Sequence, residues 1–260
     1  MQPHICPMKS IISFVIRYIP RKYLQLVSHF FLRVMAIFYR GNAVQCNVCG
    51  HGYRKFLPYG RIARENALCP HCLALERHRL MWLFLQKKTN FFQADLKVLH
   101  IAPELCFIDR MEEMGNLDYI TADIESPLAK VKMDVHAIPF GDNSFDVVFC
   151  NHVLEHVDDD IQACREINRV LKPNGWGIIQ SPVYPLEKTI EDKTITDPAE
   201  RERLFGQRDH VRKYGKDYAP RLRKSGLAID ENDFVKTLDA GTVARHALPQ
   251  DEIIFYCSKG

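Results

Sequence analysis

Four cysteines stand in two tight pairs, Cys46-x2-Cys49 and Cys69-x2-Cys72, with 19 residues between the pairs. Four thiolates from two such knuckles close a tetrahedron around zinc. A closed site leaves no position for water or substrate, so the expected role of the metal is structural. Gly50 and Gly52 let the chain turn just after the first knuckle. The insert between the pairs is polar and aromatic and too small for a core of its own, so metal would supply its folding free energy. Four unligated cysteines and an iron site are the alternatives. His51 and His71 stand beside the knuckles without being needed as ligands.

A second set of chemistry-bearing residues lies at the ends of short apolar runs. Val98–Ala102 reads as a first strand and is followed by Pro103 and Glu104. Tyr119–Ala122 reads as a second strand with Asp123 at its end, 19 residues beyond Glu104. An acid at that point accepts the two ribose hydroxyls of a nucleoside cofactor, as in dinucleotide folds. Val131–Asp134 is a weak third strand. Asp134 at its end suits an adenine amino group, and the Val135 N–H suits a ring nitrogen. A pyrophosphate needs close backbone approach at a helix N-terminus. The run Ala102-Pro103-Glu104 has no glycine until Gly115 and carries an acid, which would repel it.

Histidines supply the candidates for proton transfer. The strand Phe145–Cys150 is followed by Asn151, His152, Glu155 and His156, and His210 stands further on. A positioned base is needed when the group being modified is a hydroxyl protonated near neutral pH. His152 and His156 are four apart and share a face if that segment is helical. His156 has the alternative role of shaping the pocket only. Tyr184, Arg208, Arg212 and Tyr214 are further candidates for acceptor contact.

The elements that must hold these groups centre on Phe140–Ser181. A strand at Phe145–Cys150 leads to a helix beginning at Asp158–Asp160, which Lys172-Pro173-Asn174-Gly175 stops. A strand at Trp176–Gln180 follows. Strand, crossover helix and parallel strand make a unit whose site lies at the carboxyl ends of the strands. A helix from Glu104 to Met114 follows the first strand, with Pro103 at a tolerated start. Residues 185–209, polar and charged, read as an inserted loop or lid. Asp209–Gly226 reads as a helix, and Phe234–Asp239 with Glu252–Cys257 as a closing antiparallel pair. Leu73–Lys88 reads as a helix with Glu76, Arg79 and the terminal lysines facing water. Its charged run Glu76–Arg79 bridges the knuckles to the main domain, or alternatively touches cofactor or substrate.

The 260 residues, 47% hydrophobic and 26% charged, fit one α/β domain plus a small attachment. Residues 1–64 hold ten Lys/Arg and no Asp or Glu, whereas the remainder holds 25 basic and 32 acidic side chains. A basic arm on an acidic body suggests an anionic neighbour, lipid or nucleic acid. Residues 21–40 are helical in pattern with a wide apolar face. The readings are packing on the chain's own domain or a partner, lying in a membrane interface, or, least favoured, spanning one. Residues 1–20 carry no assignment, and no small-residue cleavage site of a secretory signal stands out. The scattered Cys6, Cys106, Cys150, Cys164 and Cys257 suit small core residues of a reducing compartment. The expected division is a basic helical segment at 1–42, a four-cysteine module at 43–75 and a linking helix at 76–95. The catalytic domain occupies 96–260, with the insertion 185–209.

The runs VLHIAPE, YITADIES, VKMDVHAIPFGDNSFDVVFCNHVLEHV, EINRVLKPNGWGIIQSP and DHVRKYG together resemble class I S-adenosylmethionine-dependent methyltransferases of the broad type 11 kind. The resemblance implies a seven-stranded Rossmann-like sheet of order 3-2-1-4-5-7-6 with helices on both faces and the last strand antiparallel. It implies S-adenosyl-L-methionine across the strand ends, with Asp123 on the ribose, Asp134 and Val135 at the adenine edge and Ile124 on the ring. Asn151 falls near the methionine moiety. In place of the family's acidic residue and glycine-rich loop stand His100, Ala102, Pro103 and Glu104, with Glu104 available to the cofactor's amino group. An acid here tolerates a sulfonium, which bears no phosphate. Three functions follow. The first is methyl transfer to a small-molecule or saccharide acceptor, at oxygen, in the cytoplasm and peripherally on the inner membrane face through residues 1–40. The second is RNA methylation using the zinc module and basic arm, as in ribosomal RNA enzymes of similar layout. The third is a non-catalytic binding protein. The sequence leaves the oligomeric state open.

Overall fold

The computed structural model describes residues 33–34, 36–60 and 62–259. The expectations for residues 1–32, including most of the amphipathic segment, lie outside the described residues. Among the described residues no helix is long and apolar enough to cross a membrane.

After helical backbone at 33–34 and 36–39, the chain forms two small antiparallel ribbons, β1 (Arg40–Gln45) with β2 (Gly52–Tyr53), and β3 (Leu57–Tyr59) with β4 (Arg64–Leu68). Helix α1 (Glu76–Lys88) follows. The main sheet then draws on β5 (Leu96–Ile101), β6 (Leu117–Asp123), β7 (Val131–Lys132), β8 (Phe145–Asn151) and β9 (Leu171–Gln180). The short pair β10 (Ile190–Glu191) and β11 (Arg212–Lys213) stands apart from it, and β12 (Leu227–Asn232) and β13 (Ile254–Lys259) complete it. Its order is β12-β13-β9-β8-β5-β6-β7. Strand β13 runs antiparallel to both neighbours, and the pairs among β5, β6, β7, β8 and β9 are parallel. This is the seven-stranded α/β sheet expected, in the expected order.

The sheet is central because its strands are apolar on both faces. Side chains alternate across a strand. Val98, Val147, Phe149 and Trp176 therefore enter one apolar cluster, and Leu99, Ile101, Val148 and Cys150 the other. The first face is covered by α1 and α2 (Leu105–Glu112), the second by α3 (Asp160–Val170) and, after α4 (Pro198–Phe205), by α5 (Tyr218–Arg223). A last helix, α6 (Ala240–His246), contacts the N-terminal ribbon β1. Strand position thus sends Asp123 and Asn151 to one sheet edge, where the parallel strands end.

Several expected elements differ. The run expected as a helix at Asp209–Gly226 begins as strand β11 and is helical only over Tyr218–Arg223. Arg212 is the cause. Its fully buried guanidinium donates to the carbonyls of Leu154, Val157 and Asp158 and pairs with Glu191 at 2.7 Å, which fixes the backbone in an extended path. Arg212 and Tyr214 therefore serve as scaffold and not acceptor contacts. The inserted run 185–209 contains β10 and α4 rather than a structureless loop. The strand paired with β13 is Leu227–Asn232, not Phe234–Asp239. Phe234 instead turns in a short 3-10 segment and packs edge-on to Phe84 of α1.

Helix α1 begins at Glu76, not Leu73, and is buried from His78 through Leu85. Arg79, expected in water, has no exposed surface. Its guanidinium donates to the carbonyls of Asn66, Ala67, Ala74, His246 and Ala247 and lies 4.1 Å over the Phe56 ring. It joins the N-terminal ribbons to the C-terminal helix. Replacing it with leucine leaves these carbonyls without their donor. Arg79→Leu is expected to lower unfolding stability by about 3–5 kcal/mol, read as a lower denaturant midpoint.

Candidate active site

A cleft of about 680 Å³ opens at the carboxyl ends of β5, β6, β7 and β8. Ala102, Asp123, Ile124, Asp134, Val135, His152 and His156 all line it. The topology explains the gathering, since each of these residues lies at or just beyond the end of a parallel strand. Asp123 is held rigidly: its Oδ1 accepts the backbone N–H groups of Glu125 at 2.7 Å and Ser126 at 2.6 Å. Asp134 Oδ1 accepts from the backbone of His136 at 2.9 Å and meets the His136 ring at 2.7 Å. The hydrogen bonds from His136 hold the Asp134 carboxyl below its ordinary range. Val135 is buried, and its N–H has no backbone acceptor among the described residues. Ile124 is 56% exposed over the cleft. An acid pair, an unmatched N–H and an exposed apolar side chain fit the ribose and ring edge of a nucleoside.

Two residues at the rim occupy the left-handed backbone region without being glycine. Ala102 follows β5 with φ 50°, and His152 follows β8 with φ 56°. Their N–H groups still extend the sheet, to Ala122 O at 2.8 Å and Gln180 O at 2.7 Å. Ala102 thus adopts the conformation that a glycine takes at low cost. Left-handed backbone costs a non-glycine residue about 1–2 kcal/mol, partly offset because glycine loses more freedom on folding. Ala102→Gly is expected to raise stability by up to about 1 kcal/mol, read as a small upward shift in Tm, without weakening nucleoside binding.

Beside the cleft, sharing His152 with it, lies a narrow chamber of mixed polar and apolar lining. Glu104, Asn151 and His152 meet Arg77 and His78 of α1 there, and Glu252 closes it from the loop before β13. Glu104 is oriented from two sides, by His100 Nε2 at 2.5 Å and by Asn151 Nδ2 at 3.1 Å. His100 is itself fully buried and bonded to the Tyr119 hydroxyl at 2.7 Å. The acid missing from the strand thus returns from Glu104, folded back against a histidine.

The titration of the chamber has a sign that can be worked out. Burial, helped by the Arg77 cation, holds the His78 imidazole down at about 3. Burial alone would raise the Glu104 carboxyl, but the hydrogen bond and charge of His100 outweigh it and hold the group at about 2. Both groups bind protons more readily in the unfolded chain. Their stabilisation is complete above pH about 6.5 and is lost as pH falls toward 3 for His78, with Glu104 adding below pH about 4.5. Between pH 6.5 and 4.5 stability is expected to fall by up to about 1.4 kcal/mol per pH unit through His78. His78→Asn, which keeps an acceptor for the Leu75 N–H, flattens that slope in equilibrium unfolding.

His152 Nδ1 lies 3.2 Å from Glu155 Oε1, and the other Glu155 oxygen accepts from Ser181 Oγ at 2.9 Å. Glu155 is 2% exposed. Burial pushes its carboxyl up, and the hydrogen bond and charge of His152 carry it below its ordinary range. His152 Nε2 is buried without a hydrogen-bond partner. The other histidines are placed differently. His156 lies at the cleft with its Nδ1 toward Asp209, whereas His210 is buried, packs edge-on against the His156 ring and does not line the cleft. Burial lowers its imidazole. Pro103 is buried and lines neither cavity.

The four knuckle cysteines converge. Cys46, Cys49, Cys69 and Cys72 place their sulfurs within 4.8 Å of one another, with Cys46–Cys72 at 3.6 Å and Cys49–Cys69 at 3.8 Å. None is in a disulfide. A tetrahedron with metal–sulfur bonds near 2.3 Å has edges of about 3.8 Å, so the donor set fits a four-thiolate ion.

The sequence singled out the cleft acids and the knuckles. It did not single out Gln180 or Glu252 for the chamber, and His78 was visible only within the charged run 76–79. Arg77 was visible only within a charged run, because nothing local distinguishes it from Arg79, which is structural.

Residues 91–179 match the family described as a methyltransferase domain. A demethylmenaquinone methyltransferase of Staphylococcus epidermidis is 38% identical over 89 residues, which is 33% of this chain and 36% of that protein. An uncharacterised methyltransferase of Schizosaccharomyces pombe is 30% identical over 105 residues, 35% of each chain. The chain thus spans about a third of the length of these relatives. The crystal structure of the [4+2]-cyclase SpnF is similar with a TM-score of 0.52 at 15% identity, covering 90% of this chain and 95% of that one. That neighbour is named for a cyclisation, so the fold alone does not choose a reaction. Strand order and the likeness to that structure show the class I S-adenosylmethionine-dependent methyltransferase fold, within which residues 91–179 match the methyltransferase domain family.

Proposed function

We propose that the protein transfers a methyl group from S-adenosylmethionine to an oxygen of a small-molecule or saccharide acceptor. The observation that carries this reading is the histidine between the two cavities: His152, oriented by buried Glu155, with an unpartnered Nε2. A base whose far nitrogen is fixed by a carboxylate and whose near nitrogen has no partner suits a hydroxyl that must lose its proton.

When bound, S-adenosylmethionine supplies an electrophilic methyl on a sulfonium. The chain's part is then to hold the acceptor in line and exclude water. Asp123 would accept the ribose hydroxyls, with Ile124, Asp134 and Val135 at the ring. His152 would take the acceptor proton at Nε2 while Glu155 steadies the resulting imidazolium. His156 and His210 support the wall of the site. The Staphylococcus relatives, named for demethylmenaquinone, favour a small-molecule acceptor. The four thiolates would hold structural zinc, and residues 43–75, 76–95 and 96–260 would act as metal module, linking helix and catalytic domain. Ala102 and Glu104 would border the cofactor in the loop after β5, with buried Pro103 shaping the loop between them.

Incubating the metal-loaded chain with methyl-tritiated S-adenosylmethionine and separated small-molecule, saccharide and RNA fractions tests the reading. Label in an ether on a small molecule or saccharide, lost in His152→Gln, is expected. Label in RNA, or turnover unchanged in His152→Gln, would overturn it.

A further inference from the structure

Glu155, His156 and His210 converge in the wall of the cleft, and one ligand-type atom from each lies within 4.8 Å of the other two. The backbone brings them together. Val211 N–H donates to Glu155 O at 2.9 Å, so the chain entering β11 runs beside the turn after β8. Buried Arg212 grips the same turn through the carbonyls of Leu154 and Val157. His210 is 1% exposed, and its Nε2 is buried without a hydrogen-bond partner. Buried polar groups are nearly always paired, so an orphan nitrogen beside a carboxylate and a second imidazole marks a place for a ligand. His156 Nδ1 faces the Asp209 carbonyl at 3.3 Å and the Asp209 carboxylate at 3.5 Å, which leaves Nε2 to a ligand. An oxygen behind the far ring nitrogen is the usual support of a metal-binding histidine. Each Glu155 oxygen carries one hydrogen bond, from His152 or from Ser181, and a carboxylate has room for about four.

Two imidazoles and one carboxylate are a donor set for a divalent transition-metal ion that keeps open positions. Bonds of about 2.0–2.2 Å put neighbouring ligand atoms about 3.4 Å apart, so side-chain rotation closes the set. The surroundings favour a cation: among the described residues Asp158 and Asp209 line the cleft and no lysine or arginine does. The geometry points to a second metal site, in which Glu155, His156 and His210 hold a divalent transition-metal ion whose open position takes the acceptor's hydroxyl oxygen. With three protein ligands, one of them 34% exposed at its side chain, this ion exchanges with solvent, whereas the four-thiolate ion stays with the chain. The ion acts as a Lewis acid on the acceptor hydroxyl. The hydroxyl proton passes to His152, the oxygen–carbon bond forms, the carbon–sulfur bond breaks, and the cofactor leaves as a neutral thioether. Glu155 couples the two parts, as a ligand to the ion and as the partner of His152 Nδ1 at 3.2 Å. The ion's part in transfer rests on the methyl-transfer reading; the metal site itself does not.

The test starts from the full chain with zinc in its knuckles, titrated with cobalt(II) chloride and followed by calorimetry and visible absorption. The wild-type chain is expected to take up one further ion, with the weak bands of nitrogen and oxygen ligation and no thiolate-to-cobalt charge transfer. His156→Ala and His210→Ala are each expected to weaken that uptake by about 100-fold. Retained knuckle zinc and a cooperative unfolding transition report folding, and the half-exposed His156 position keeps the test valid if the buried His210 variant does not fold. The methyl-tritium assay is then run with and without cobalt. The ion is expected to raise turnover by at least about 10-fold in the wild-type chain and not in His156→Ala. No uptake beyond the knuckle ion, or equal uptake by folded His156→Ala, would overturn the metal site and leave the methyl-transfer reading intact. Uptake that leaves turnover unchanged would overturn the ion's part in transfer. Turnover absent with and without the ion would overturn the methyl-transfer reading and that part together, while cobalt uptake alone would still decide the site.

Discussion

Replacing Asp123 and Asp134 together by alanine is expected to weaken S-adenosylhomocysteine binding by about 1000-fold. The argument is geometric before it is energetic. Asp123 ends β6, and two backbone N–H groups pin its Oδ1, so the carboxylate presents one orientation to the cleft. A fixed carboxylate that accepts two ribose hydroxyls makes charge-assisted bonds of about 1.5–3 kcal/mol each. Asp134 adds a further contact at the ring edge but shares its Oδ1 with His136, so its separate effect is the smaller. Asp123→Asn retains an acceptor for Glu125 and Ser126 and removes the charge. It is expected to cost about 10-fold with little change in Tm, which separates binding from folding. Isothermal calorimetry against the wild-type chain checks both values.

Metal removal is the second large effect. The knuckles are not a detached appendage. Cys46, Val48 and Cys69 share one apolar cluster with α1, Trp176 and Ile178 of the sheet, and Arg110 of α2 donates to Val48 O at 3.0 Å. Four-thiolate zinc contributes about 10–16 kcal/mol of apparent binding free energy in small modules. Stripping the ion leaves four close sulfurs repelling or sharing protons in a buried place. Chelation is expected to lower Tm by at least about 10 °C and to expose the ribbons β1–β4 to protease. Cys69→Ser is expected to reproduce both effects, and elemental analysis to show one metal per chain. An unchanged Tm after chelation, in a chain that purifies without metal, would contradict this account.

How much of this was legible beforehand depends on range along the chain. The strands β5, β6 and β8 were readable because apolar runs buried on both faces stand out locally, and Asp123 and Asp134 followed as the residues just beyond them. The cysteine pairs were readable because metal geometry fixes short spacings. Strand β11 and the short α5 were not readable. Arg212 decides that stretch by reaching carbonyls more than fifty residues away in the chain, and no local pattern announces such a partner. The same is true of Arg79, whose acceptors include His246 and Ala247. The pairing of Glu104 with His100 was hidden as well. The sequence shows an acid displaced by four positions, and only the backbone turn at Ala102 folds it back.

The division of labour between neighbouring arginines in α1 follows from burial. Arg79 satisfies five carbonyls and stabilises the fold, whereas Arg77 leaves a buried donor unmatched beside the cleft. A charge run alone could not distinguish the two side chains.

Titrating the wild-type, metal-loaded chain with S-adenosylhomocysteine in a calorimeter tests the central claim most directly, with a nicotinamide dinucleotide as the comparison ligand. The account predicts one saturable site per chain for the thioether nucleoside and no heat for the dinucleotide. Absence of heat and of thermal shift with the thioether, or binding of the dinucleotide in its place, would contradict it.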